Sequence, residues 1–288
     1  MTKEKVSIIG QGRIGKVFKK ILEKNKNLSI LTFEKGEKNI QNVLKNANYI
    51  FLCIPSSSIY KFLIQNKKYI SPKSLIVVLS KGIEEKTKKT PYEAVKKILP
   101  QNKIAIMTGP LMAEEIQKGQ KTYGVISGSK QSFLKIKNLF LKSNLSFNYN
   151  QDAIGTSWCG ILKNIYTFTL VLNDYLKLGL NHKSYLLIQI LKEMEKIVKV
   201  FGGKTKTVYS EAGLGDLVAT AFSPYSKNKK TAQVLLHNQS NKITSEGLHS
   251  LKLIMQIPQI KIQTQNYPIL FKTYKIFVKN QKNTNFIN

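Results

Sequence analysis

Apolar positions in the first half of the chain come in short continuous runs; in the second half they come at helical spacing. Val6-Ser7-Ile8-Ile9, Leu28 to Phe33, Tyr49 to Ile54, Leu75 to Leu79, Ile104 to Met107, Tyr123 to Ile126 and Leu145 to Tyr149 read as strands, with helical or turn segments between them. Strands of that kind predict a mainly parallel sheet covered by helices on both faces. From Asp152 the pattern changes. Ile161, Leu162, Ile165, Tyr166, Phe168 and Leu172 share one long apolar helix, Tyr185 to Val200 form another, and no strand is expected. The fold class is therefore α/β, a doubly wound sheet over residues 1–150 followed by an all-helical domain over 151–288. The polar tail from Asn280 to Asn288 is expected to fray.

Between the first strand and the first amphipathic segment stands Gly10-Gln11-Gly12-Arg13-Ile14-Gly15. The three glycines answer to different needs. Gly10 turns the chain off the strand, Gly12 lets backbone approach a pyrophosphate, and Gly15 lets helix and sheet pack closely. N–H groups at the helix start and the helix dipole then attract the anion. Ile14, Val17, Phe18, Ile21 and Leu22 supply the apolar stripe of the following helix, and the second strand ends at Glu34, where an acid holds an adenine ribose. This context makes the sheet Rossmann-type and the ligand a dinucleotide. Glu34 favours a free 2′-hydroxyl and so NAD, whereas Lys35 suits the 2′-phosphate of NADP.

Ligands of such sheets lie beyond the carboxyl ends of the strands, so Pro55, Ser56, Ser80, Lys81, Gly109 and Pro110 converge with the glycine loop. In the helical half, Lys163 interrupts an apolar helix that reads as buried, which suggests a chemical use for the amine; a snorkelling side chain is the plainer explanation. Asp216, one of three aspartates, follows Gly213-Leu214-Gly215 and either caps the next helix or orients a catalytic ammonium or substrate hydroxyl. Ser226-Lys227-Asn228-Lys229-Lys230 offers a hydroxyl, an amide and cations for a phosphate monoester, or else is a solvated charge run. His182, His237 and His249 lie in no comparable setting and read as surface residues.

Composition adjusts this picture in two ways. The formal charge of +30 invites a nucleic-acid surface, but the basic residues are scattered, and all except Arg13 and the histidines are lysine. That bias resembles the residue usage of an AT-rich genome, and no specific nucleic-acid partner is expected. The two cysteines have no metal-site spacing, no metal is expected, and no run is long enough for a signal peptide or membrane span, so the cytoplasm is the expected location.

Taken together these residues resemble the bacterial NAD(P)-dependent glycerol-3-phosphate dehydrogenases. The resemblance runs in order through the glycine loop, Ser80-Lys81-Gly82-Ile83, Gly109-Pro110 with Ala113-Glu114-Glu115, Gly155 to Asn164, Glu193-Met194, Gly213 to Leu217, Ser226-Lys227-Asn228 and Glu246-Gly247. It implies interconversion of sn-glycerol 3-phosphate and dihydroxyacetone phosphate, supplying phospholipid synthesis, with NAD or NADP as cofactor and a homodimer as assembly. Carried over by position, it implies Lys163 as general base and Lys81, Gly109, Lys163, Asp216, Ser226, Lys227 and Asn228 as substrate-binding residues. For the cofactor it implies Lys81, Ala113, Lys227 and Glu246, beside Gly10, Gly12, Arg13, Ile14, Gly15, Glu34 and Lys35 of the first βαβ segment. The chain departs from the family at Leu111, where serine is usual, at Ser157, at Ile188-Gln189-Ile190 and at Lys227 and Lys229, where the family carries arginine. Two other readings stand beside it: a related two-domain hydroxy-acid reductase, and a catalytically silent dinucleotide-binding protein.

Overall fold

A computed structural model describes residues 3–237 and 243–281 of the chain. It divides into two compact units, Met1–Ala153 and Ile154–Asn288. The expected fraying of the C-terminal tail concerns residues almost all of which, 282–288, lie outside those described.

In the first unit β1 (Glu4–Ile9), β2 (Leu28–Phe33), β3 (Tyr49–Leu52), β4 (Leu75–Val78), β5 (Lys103–Thr108), β6 (Thr122–Ser127) and β7 (Leu145–Asn150) form one sheet. Its order is β2-β1-β3-β4-β5-β6-β7. Every adjacent pair is parallel except β5 with β6. Six helices intervene: α1 (Arg13–Leu22), α2 (Ile40–Leu44), α3 (Ser56–Asn66), α4 (Pro91–Ile98), α5 (Ala113–Gln117) and α6 (Lys130–Leu139). All seven runs read as strands are strands; β3 and β4 are buried throughout, whereas β2 and β7 also carry exposed positions. In β3, Tyr49 and Phe51 enter one core cluster while Ile50 and Leu52 enter the other. Phe18 of α1 meets Phe51 and Phe140 edge-on at 6.1 and 5.1 Å, which locks the first helix onto the sheet.

Strand order reverses at β1, which has β2 on one side and β3 on the other. The carboxyl ends of β1 and β3 therefore flank the switch point at which such sheets take their ligands.

The second unit is helical: α7 (Ala153–Tyr175), α8 (Gly179–Val200), α9 (Asp216–Phe222), α10 (Lys227–Leu236), α11 (Glu246–Ile254), α12 (Pro258–Lys261) and α13 (Pro268–Phe277). Trp158 through Val171 are buried on every side of α7, as a helix apolar all round requires. Helix α8 begins at Gly179, six residues before the expected Tyr185, because Gly179 (φ +81°) makes the turn from α7 and its exposed first residues carry no core stripe. Glu193 ties the bundle together: its carboxylate accepts from Tyr166 Oη (2.6 Å) and from the N–H groups of Ile269 and Leu270 (2.7 and 3.0 Å), joining α7, α8 and α13. Burial raises the Glu193 pKa, and it raises that of Tyr166 well above the phenol range, with the Glu193 charge adding to the effect. Among the described residues no helix is long and apolar enough to cross a membrane.

Candidate active site

In the first unit the glycine loop occupies the carboxyl end of β1. Gly10 has φ +98°, and a Cβ there would lie 2.7 Å from the Cys53 carbonyl oxygen at the end of β3. Gly15 is tighter still, since its Cβ would fall 2.0 Å from the Gly10 carbonyl oxygen. Gly12 is the opposite case: nothing lies within 4 Å of where its Cβ would be. Two glycines are thus fixed by close packing and the third opens onto space, at an α1 N-terminus that carries no side-chain cap. A pyrophosphate fits this arrangement, because exposed helix-start N–H groups and an open Cβ position are what an approaching anion needs. Arg13 opens α1 with Ile14 behind it, and the Arg13 guanidinium pairs with Glu114 of α5 at 2.7 Å. Glu34 and Lys35, where the ribose was expected, are exposed directly after β2.

The residues after β4 and β5 come together. Lys81 Nζ donates to the Gly109 carbonyl oxygen at 3.0 Å, and Gly109 has φ +107°, a backbone shape that favours glycine. Ser80 Oγ donates to the Ile54 carbonyl oxygen at 2.5 Å, fixing the loop that carries Lys81. Buried Glu84 accepts from the N–H groups of Lys86 and Thr87 further along the same loop. Ala113 is buried at the first position of α5.

In the second unit Lys163 does not snorkel. Its side chain is 7% exposed, its Nζ lies 3.0 Å from Asp216 Oδ1, and the Asp216 side chain is 1% exposed. Lys163 Nζ also donates to Thr220 Oγ1 at 2.7 Å, and Thr220 Oγ1 donates to Asp216 Oδ1 at 3.3 Å. Asp216 is the first residue of α9 rather than its cap, which leaves the carboxylate aimed at α7. The segment before it is a π-helical turn over Glu211–Gly215. Gly213 there is buried, and its Cβ would fall 2.0 Å from the Val208 carbonyl oxygen, so close packing is what requires it. Thr220 escaped the sequence reading; its one signal was the i+4 spacing from Asp216 on a helix.

In Ser226-Lys227-Asn228-Lys229-Lys230 the lysines lie toward the surface, Lys227 and Lys230 exposed and Lys229 half-buried, while Ser226 and Asn228 are buried. Ser226 Oγ caps α10 by accepting from Lys229 N–H at 3.2 Å. Asn228 Nδ2 donates to Asn164 Oδ1 at 2.7 Å, and Asn228 Oδ1 accepts from Gly247 N–H at 2.9 Å. Asn164, the neighbour of Lys163, is thereby linked to α10 and to Gly247, next to the half-buried Glu246 that opens α11. The histidines are less peripheral than expected: His182 Nδ1 lies 2.5 Å from Asn173 Oδ1, and His249 has its Nε2 buried.

Chemically, the second unit presents a buried primary amine held by a carboxylate and a hydroxyl, and the first presents a glycine-loop anion cradle. Residues 34–134 match the model of the NAD-dependent glycerol-3-phosphate dehydrogenase N-terminus, and residues 152–288 match that of its C-terminus. A glycerol-3-phosphate dehydrogenase of Clostridium botulinum, named for NAD(P)+, is 36% identical over 73% of this chain and 64% of its own length. The matched part of the chain thus spans slightly less than two thirds of that relative. A Clostridium perfringens protein of the same name is 28% identical over 91% of this chain and 81% of its own length. The crystal structure of glycerol-3-phosphate dehydrogenase from Coxiella burnetii has the same fold, with a TM-score of 0.80 at 23% identity over 96% of this chain and 95% of that one.

Proposed function

This chain belongs to the NAD-dependent glycerol-3-phosphate dehydrogenase family, and we propose that it interconverts sn-glycerol 3-phosphate and dihydroxyacetone phosphate with NAD or NADP. The observation that carries the reading is Lys163, an amine buried on an apolar helix and held at 3.0 Å by Asp216 and at 2.7 Å by Thr220. The dinucleotide, when bound by the glycine loop, supplies or accepts the hydride. What remains for the protein is one proton at the C2 oxygen. In reduction the Lys163 ammonium donates it to the developing alkoxide; in oxidation the neutral amine takes it from the hydroxyl. Asp216 and Thr220 hold Nζ in one direction, so the proton leaves and returns at a fixed place. Lys227, exposed at the start of α10 beside the Ser226 cap, supplies positive charge for the phosphate, and Lys81 and Gly109 carry over as substrate residues of the first unit. Glu34 and Lys35 are assigned to the cofactor by their place after β2, and Ala113 and Glu246 by resemblance to the family.

The same reading makes the protein a cytoplasmic source of glycerol phosphate for phospholipid synthesis and gives it a homodimeric assembly. Purified protein is expected to oxidise NADH or NADPH with dihydroxyacetone phosphate and not with dihydroxyacetone. Equal rates with the two ketones would favour a hydroxy-acid or general carbonyl reductase. Dinucleotide binding without turnover of either ketone would identify a silent binding protein.

A further inference from the structure

One cleft of the first unit takes no part in the dehydrogenase chemistry. It lies between the turn that follows α1 and the turn that follows α6, and its volume of about 560 Å³ is in the range of small-molecule sites. The glycine loop is at the other end of α1, whose 10 residues rise about 15 Å. The floor is the outer wall of the core: buried Leu139 and Phe140, with partly buried Ile21 packed against the same apolar cluster. Phe140 is fixed there by edge-on contact with Phe18 at 5.1 Å and Phe147 at 5.5 Å. Leu141 lines the same cleft while 67% exposed, a large apolar side chain left in water beside an apolar floor.

The charged part of the lining is cationic. Lys24, Lys26 and Lys142 line the cleft, all three exposed, and none of the described lining residues is acidic. Their ammonium groups have no ion pair or hydrogen bond among the described residues. Both helices end at the cleft, and helix carboxyl ends by themselves repel anions. Here the last carbonyls are engaged, which lowers that repulsion. Ile21 and Leu22 carbonyl oxygens accept from the N–H groups of Lys24 and Asn25 at 3.3 and 3.0 Å, and that of Phe140 accepts from Ser143 N–H and Oγ at 3.0 and 2.7 Å.

We propose that this cleft binds a small organic anion with an apolar body, an acyl or aromatic carboxylate. The body covers Leu141 and the floor, removing apolar surface from water, and the head lies among the three lysines. A bare phosphate would leave the floor unused, and a neutral apolar molecule would leave the cations without a partner. The site is separate from the glycine loop and does not depend on the dehydrogenase reading.

The test is a fluorescence titration of the full chain with anilinonaphthalene sulfonate, an apolar anion, in the presence of NAD to occupy the glycine loop. Monomeric decanoate is expected to displace the probe, and inorganic phosphate at the same ionic strength to leave it bound. Leu141→Glu, and separately the triple variant Lys24→Gln, Lys26→Gln and Lys142→Gln, should each raise the probe's Kd roughly tenfold or more, the size of a lost charge-assisted contact. The changed side chains are exposed, so both variants should melt as the unaltered protein does. A second triple variant, Lys61→Gln, Lys67→Gln and Lys68→Gln, removes the same charge from exposed positions on and just after α3 and should leave Kd nearly unchanged. Equal losses in the two triple variants would reduce the effect to net charge and overturn the proposal. So would a Kd unmoved by Leu141→Glu, or displacement by phosphate and not by decanoate. Loss in Leu141→Glu of sedimentation with phosphatidylglycerol vesicles, or of a dimer's mass, would also overturn it, by giving this face to a membrane or to a second copy of the chain.

Discussion

At the residue scale the protein rests on one desolvated ion pair. Lys163 and Asp216 lie 3.0 Å apart with almost no water access, and removing one partner leaves the other charge stranded. Breaking a buried pair in this way costs about 3–5 kcal/mol, whereas replacing both members is far milder. Lys163→Met is therefore expected to lower the unfolding free energy, and Lys163→Met combined with Asp216→Asn to regain much of it. Chemical denaturation of the two variants checks this; a double variant no more stable than the single would show that the pair is not desolvated. Lys163 and Asp216 were legible in the sequence because each was conspicuous, a cation on an apolar helix and a rare acid after glycines. Thr220 was not, since a threonine on a short helix carries no such mark, and Asn164 gains meaning only through Asn228 on a distant helix.

Elements depend on glycines whose constraints differ, and those constraints are separable by experiment. Gly12 has φ −66° and open space at its Cβ position, so alanine there costs the apo fold nothing. Gly12→Ala should melt as the unaltered protein does and weaken dinucleotide binding by roughly tenfold or more, because the new methyl stands where backbone must meet phosphate. Equal binding would mean that the loop is not the cradle. Glu193 makes a second prediction about how elements join. Its folded-state pKa is raised, so the folded protein holds that proton over a range of pH in which the unfolded chain has released it. Its contribution to stability is then complete below about 4.5, the ordinary carboxyl value, and is lost as pH rises through the raised value. The melting-temperature difference between native protein and Glu193→Gln should move in favour of glutamine as pH increases above 4.5. A difference independent of pH would contradict this. The seven strands and the first glycine loop were readable because local sequence determines them. The close approach at Gly213 was not, since Val208, the group it meets, packs against it only through the π-helical turn.

On the scale of the whole molecule, a net charge of +30 acts on every anionic ligand. Rates with dihydroxyacetone phosphate at low substrate should fall as ionic strength is raised, while saturated rates change little, because screening weakens the capture of anions and not the chemistry. A salt-independent kcat/KM would mean that the field plays no part. The two-part pattern, continuous apolar strands and then helical spacing, was legible from the first because each half has its own periodicity. The family was legible for a different reason: motifs weak by themselves recur in the family's order through both units.

The most direct measurement compares native protein with Lys163→Met for two quantities, turnover of dihydroxyacetone phosphate and Kd for NADH. If the Lys163 amine carries the proton, turnover falls by about 10²- to 10⁴-fold while NADH Kd stays the same. Near-normal turnover in that variant, with cofactor still bound, would contradict the account.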